Sequence, residues 1–213
     1  MTHQELEQRC LNFLRDRMAS DPAHDLSHVK RVVSNTRKLS ETESAELAIT
    51  LPAAWLHDCV SVAKDSELRS QASRMAAAEA IQFLRGISYP ESLLKPIGHA
   101  IEAHSFSAGI PATTVEARVV QDADRLEALG AIGIARCFLT GGAMGTPLYE
   151  SGDPFCEQRE PDDRQFTIDH FYCKLFTLPD TMQTDAGRAE ARRRVDYMRA
   201  FLDRLDSEIN DIG

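Results

Sequence analysis

The sequence has no CxxC pair, no alternating strand pattern, no internal repeat and no apolar run long enough to cross a membrane. Its five cysteines, Cys10, Cys59, Cys137, Cys156 and Cys173, are odd in number and lack knuckle spacing. They read as reduced thiols, which excludes a disulfide frame or a zinc knuckle. Basic residues are also scarce: 24 Lys and Arg against 33 Asp and Glu leave a net charge of −9. That excludes an extended nucleic-acid surface or an anionic-membrane surface. A small anionic substrate needs only a few local cations or a metal, so it stays open. The longest fairly apolar run, around residues 45–56, holds Glu46, Thr50 and Pro52 and is too short and too polar to span a bilayer. The N-terminal stretch MTHQELEQRC is polar and carries no secretory signal, so the expected location is cytoplasmic. GGAMGTP lacks the GK[ST] of a phosphate-binding Walker loop.

What is present is helical periodicity. The 213 residues, 43% hydrophobic, suffice for one domain with a real core. Leu6, Cys10, Phe13, Leu14 and Met18 recur at helix spacing, Thr2 and Glu5 can form a capping box, and Asp21-Pro22 stops the helix. Further helices are predicted over 24–39, 42–58, 66–85 (ended by Gly86), 90–104, 113–130 and onward to 139. Pro52 should kink the third helix or mark its true start. Residues 141–163, rich in Gly, Pro and acids, read as a long loop or lid. Two C-terminal helices follow over 165–178 and 185–209, the last with Val195, Met198, Phe201, Leu202, Leu205 and Ile209 on one face. The fold class is all-α.

The chemistry starts at Asp122, in VEARVVQDADRLEAL. Val115, Val119, Leu126 and Leu129 share its helical face, so the pattern points a carboxylate into the core. An unpaired buried carboxylate costs several kcal/mol, on the order of 3 or more. It requires an Arg, a hydrogen-bond cluster or a metal. His57–Asp58 ends another apolar helix, AAWLHD. Neighbours on a helix diverge by about 100°, but both can reach one ion if the helix stops there, and CVSVAKD loses the helical pattern. His24 and His28 stand four apart in HDLSHVKRV, without the Glu that a metalloprotease places after its first His. Two imidazoles and two carboxylates without thiolate suit a borderline-to-hard ion with two open positions. Mn²⁺ or Mg²⁺ comes first, with Fe²⁺, Co²⁺ and Ni²⁺ also compatible.

This pattern, H…HD…D with HxxRV after the first ligand and DADRLEALG around the last, resembles the HD-domain phosphohydrolase superfamily. More narrowly, HDLSHVKRV, LHD, KDSELRSQAS, EAHSF, QDADRLEALGAIGIAR, the GG loop and HFYCKL resemble a bacterial subgroup over nearly the full length. The resemblance implies an HD-domain helical bundle: one domain over 1–213, with a core over about 20–140 and a helical extension over about 164–210. It implies His28, His57, Asp58 and Asp122 as metal ligands. Some members of that subgroup hydrolyse nucleoside triphosphates to monophosphate and pyrophosphate, so a nucleotide is the expected substrate. Phosphomonoesterase or cyclic-nucleotide phosphodiesterase activity, and a nucleotide-sensing module with little turnover, are the alternatives.

Around this set, Lys64 and Arg125 are candidates to neutralise phosphate oxygens, and either can equally be a structural or solvated cation. His104 is a candidate to contact phosphate or protonate the leaving oxygen. Glu102 is a candidate to orient water, and Asp58 to do so besides ligating. Lys174, one turn after His170 in HFYCKL, is a candidate for substrate contact. Some family members hold a second metal through extra histidines. His99 and His104 are available here, but His99 follows Gly98 and lacks an acidic bridge, so a single ion is expected. A homodimer stays open as the assembly.

Overall fold

The computed structural model describes residues 1–15, 26–60, 62 and 67–210. Among these every regular element is helical: α1 (His3–Arg15), α2 (Leu26–Glu43), α3 (Leu47–Leu56), α4 (Ala72–Gly86), α5 (Glu91–His104), α6 (Val115–Arg125), α7 (Gly130–Met144), α8 (Asp169–Cys173) and α9 (Asp185–Asn210). Short 3-10 turns cover Glu67–Gln71, Phe106–Ala108, Leu126–Ala128 and Leu175–Thr181. No single helix among the described residues is long and apolar enough to cross a membrane. The chain resolves into two compact units, Met1–Asp124 with Gln183–Gly187, and Arg125–Met182 with Arg188–Gly213.

In the first unit α3 is the hub. It packs on α1, α2, α4 and α5, and every residue from Ile49 to Leu56 is buried. A helix covered on all sides needs no polar stripe, which is why its sequence is a continuous apolar run. Pro52 lies inside this helix. It has no N–H for the carbonyl of Ala48, four residues back; the Tyr89 hydroxyl donates to that oxygen at 2.7 Å instead. The expected start of this helix near 42 is corrected. α2 runs on to Glu43 and ends with Ser44 at φ 54 and Ala45 N–H donating to Ser40 O at 3.0 Å, a Schellman stop without glycine. α4 ends the same way: Gly86 closes the helix, but Ser88 takes the left-handed position (φ 57), and Tyr89 N–H donates to Leu84 O at 2.9 Å. The capping box of α1 forms as expected, with Thr2 N–H on Glu5 Oε2 at 2.8 Å and Glu5 N–H on Thr2 Oγ1 at 3.2 Å.

In the second unit Phe138, Phe171, Phe176 and Phe201 pack ring against ring. α7 extends beyond the expected end at 139, to Met144, where Gly145 (φ 71) caps it. Gly141 lies within it because a Cβ there would meet the Thr167 side chain. The expected helix over 165–178 is instead the short α8 followed by a 3-10 turn. The non-helical stretch before α8 is braced by its own acids. Asp153 accepts the N–H groups of Glu157, Gln158 and Arg159 at 2.8–3.0 Å. Fully buried Asp169 is gripped by Arg159 through both carboxylate oxygens, at 2.5 and 2.7 Å, and by Asp162 N–H at 2.7 Å.

Two stability predictions arise here. Exposed Ser44 carries a left-handed strain that glycine lacks, so Ser44→Gly should raise stability by about 1 kcal/mol, read as an increase in thermal midpoint. Burial pushes the Asp169 carboxyl up, but Arg159 and Asp162 N–H outweigh it and hold it below its ordinary value. With a folded pKa below the unfolded one of about 3.9, its stabilisation is present above that pH and is lost as pH falls through the folded value. Asp169→Asn should therefore cost about 3 kcal/mol at neutral pH, and its gap from wild type in denaturant titrations should shrink below about pH 4.

Candidate metal centre

Four elements of the first unit bring their side chains to one point. α2 supplies buried His28 from its first turn. α3 ends at Leu56, and the chain turns at once, with Cys59 N–H donating to Leu56 O at 3.1 Å. His57 and Asp58 sit in that turn, His57 still at helical φ −55° and ψ −37°, so its imidazole is buried while the Asp58 carboxylate stays partly in solvent, and the two nevertheless reach one point. α5 contributes its last residue, His104, and α6 its penultimate one, Asp124. His57, Asp58, His104 and Asp124 thus lie at helix C-terminal ends, where backbone carbonyls carry partial negative charge and favour a cation.

The distances are short. His28 Nε2 lies 3.4 Å from Asp124 Oδ1 and 4.0 Å from Asp58 Oδ2. His57 Nε2 lies 3.5 Å from Asp58 Oδ2 and 3.8 Å from Asp124 Oδ1. His104 Nε2 lies 3.4 Å from Asp58 Oδ1. The imidazoles of His28 and His57 are buried, whereas Asp58 and Asp124 keep about a quarter of their side-chain surface, 27% and 28%, in solvent. One side of the cluster is therefore open to a ligand.

Protonation follows from the backbone. His57 Nδ1 meets Ala54 O at 2.8 Å, and His104 Nδ1 meets Ile101 O at 2.6 Å. A carbonyl only accepts, so both Nδ1 atoms carry hydrogen. Burial pushes His57 below its ordinary pKa, and the Asp58 charge offsets only part of that. A neutral His57 then turns its Nε2 lone pair toward two carboxylate oxygens. That nitrogen is buried and has no hydrogen-bond partner among the described residues. Lone pair facing anion is repulsive unless a cation lies between them. A backbone carbonyl on the far nitrogen is also how metal-binding histidines are held. His28, His57 and Asp58 offer donor atoms that all lie within 4.8 Å of one another. The residues present thus fit a divalent ion. Burial would also lower His104, but Asp58 on its Nε2 outweighs this and its pKa rises. Partial burial would raise Asp124, but His28 and the other imidazoles outweigh this and hold it well below the usual carboxylate range.

Asp122 requires correction. It is fully buried, as expected, but its carboxylate is engaged elsewhere. Gln183 N–H donates to both oxygens at 2.9 and 3.1 Å, and Thr184 reaches Oδ2 through its N–H at 2.8 Å and its hydroxyl at 2.7 Å. Thr184 Oγ1 in turn accepts Gly187 N–H at 3.0 Å, as an N-cap does for α9. A Cβ at Gly187 would collide with Asp122 Oδ2. Asp122 thus pins the start of α9, and Asp124, two residues on, joins the histidines. Two steps of about 100° send the two acids to opposite sides of α6. Ala117, Val119, Val120 and Ala123 are all buried, so apolar flanks do not tell one side from the other. The position of Asp124 at the helix end, like His57–Asp58, was the available signal.

Of the other candidates, His104 joins the cluster. Glu102, half-buried two residues earlier on α5, takes no part in its ion pairs among the described residues. His99 Nε2 accepts Thr113 N–H at 3.1 Å, a structural tie. Lys64, like His24, lies outside the described residues. Arg125 and Lys174 belong to the second unit, where Arg125 donates to Thr181 O at 2.5 Å and Lys174 is exposed at the end of α8.

The HD domain family matches residues 25–129, which contain every residue of the cluster. A Bacillus subtilis (strain 168) protein, YpgQ, is 33% identical over 193 residues, covering 89% of this chain and 86% of that protein. The chain belongs to the HD-domain superfamily. Among solved structures, YpgQ in complex with ADP matches at 31% identity and TM-score 0.73, over 98% of this chain and 100% of that one. An HD-superfamily hydrolase from Bacillus thuringiensis matches at 32% identity and TM-score 0.75, over 97% of each. The HD domain is thus the fold of a hydrolase, and its His-His-Asp group is suited to a divalent metal.

The different partners of Asp122 and Asp124 separate two variants. Asp122→Ala strands the Gln183 and Thr184 donors and should lower stability by about 3 kcal/mol or more. Asp124→Ala should keep a thermal midpoint near that of the metal-free wild type while losing bound metal, measured by elemental analysis after dialysis.

Proposed function

We propose that this HD domain is a metal-dependent phosphohydrolase of nucleotides that hydrolyses nucleoside triphosphates to monophosphate and pyrophosphate. The observation that carries the metal dependence is the buried Nε2 of His57, whose lone pair faces two carboxylates. The ADP held by the similar YpgQ structure supports a nucleotide. In this reading His28, His57, Asp58 and Asp124 hold the ion. Bound there, a divalent metal supplies a Lewis acid for the phosphoryl oxygens and lowers the pKa of water.

The chain's own side chains divide the remaining work. His57 Nδ1–H on Ala54 O locks the ring with Nε2 forward. His104 holds a proton on Nε2 against Asp58 Oδ1, which fixes that carboxylate with Oδ2 toward the imidazoles. In this reading the same proton would pass to a leaving phosphate oxygen. Asp58 is partly in solvent, and in this reading it would orient the attacking water. Lys64 is kept in this reading as a phosphate contact.

The test is a nucleotide panel with Mn²⁺, Mg²⁺, Co²⁺ and Ni²⁺ and with products identified. Pyrophosphate is expected, and orthophosphate or ring-opened cyclic nucleotide would instead assign the monoesterase or phosphodiesterase alternative. Asp124→Ala should lose about 100-fold or more in activity. Tight nucleotide binding without turnover under every metal would turn the reading to a sensor.

A further inference from the structure

A nucleotide has an anionic end and a flat aromatic end, and the cluster accounts for only the first. Directly after His104 the chain leaves α5 in an extended step at Ser105 and makes the 3-10 turn Phe106–Ala108, closed by Gly109 at φ 62. Phe106 in that turn is 82% exposed, more than any other large hydrophobic among the described residues. The turn Glu67–Gln71 packs against it and presents Leu68, 48% exposed. Two touching turns of the first unit thus each hold out a large apolar side chain, and Phe106 stands two residues along the chain from His104, whose imidazole contacts Asp58 Oδ1. Exposing a phenyl ring forgoes roughly 1.5–3 kcal/mol of burial, so this placement has no packing rationale.

We propose that Phe106 is the platform on which the base of the substrate nucleotide stacks, with Leu68 beside it. This rests on the nucleotide reading above and adds how the base is held. A phenyl face accepts any base, since each has a π-face, so the platform selects for the presence of a base more than for its identity.

The test is binding of ADP and of inorganic pyrophosphate, each with Mn²⁺, by calorimetry on wild type, Phe106→Ala and Phe106→Trp. Phe106→Ala should weaken ADP about tenfold or more and leave pyrophosphate unchanged, while Phe106→Trp retains ADP affinity. Unchanged ADP affinity in Phe106→Ala, or an equal loss for ADP and pyrophosphate, overturns the platform while wild-type nucleotide hydrolysis keeps the functional reading. A wild type that neither binds nor hydrolyses nucleotides overturns both.

Discussion

The last turn of α6 is the constraint on which the centre depends. Three consecutive residues tie it to three different elements. Gln121 donates from its side-chain amide to Ala103 O at 2.5 Å, next to His104. Asp122 holds Gln183 and Thr184. The Ala123 carbonyl receives the Asn35 amide at 3.4 Å, from the helix that also carries His28. Asp124 follows with little freedom left. A carboxylate that must share space with three imidazoles needs such fixing, because an error of about 1 Å in a supporting residue is enough to spoil a site of this kind.

That arrangement also explains how the centre tolerates its own charge. Two carboxylates within reach of each other would repel, and burial would raise the cost. Here both keep partial access to water, and the histidines face them from the dry side. The apolar hub α3 makes this possible. It is covered on all sides and ends abruptly, so its final turn delivers an imidazole to the dry side and a carboxylate to the wet side. The missing Pro52 hydrogen bond and its replacement by Tyr89 are what let an interrupted helix serve as that rigid hub.

Much of this was legible in the sequence, and the failures have definite causes. The all-α class, the α1 capping box and the convergence of His57 with Asp58 follow from period, side-chain reach and helix termination, which are local properties. The assignment within QDADR failed because buried apolar residues (Val119, Val120 and Ala123) flank both acids, so the local pattern does not separate Asp122 from Asp124. What separates them is Gln183 and Thr184, about sixty residues away in sequence, and no local pattern contains that information. The end of α2 at Ser44, later than the expected 39, has a related cause. Serine is an uncommon left-handed residue, and only tertiary packing makes it adopt that conformation.

His57 and His104 finally show how one backbone device yields two chemistries. Each donates Nδ1–H to the carbonyl three residues before it, and the rings lie edge to face with centroids 4.9 Å apart. Their protonation nevertheless diverges. His57 is completely buried and burial dominates, so it is neutral and offers a lone pair. His104 has Asp58 Oδ1 on its Nε2 and is pushed toward the imidazolium. Interacting imidazoles titrate as a set, so a charge on one makes a charge on the other harder to hold. Protonated His104 thereby favours the lone pair on His57, and a divalent cation held there would also satisfy the carboxylates that both rings face. In the proposed reading the pair would serve as ligand and proton donor because the surroundings differ, with the tether held constant.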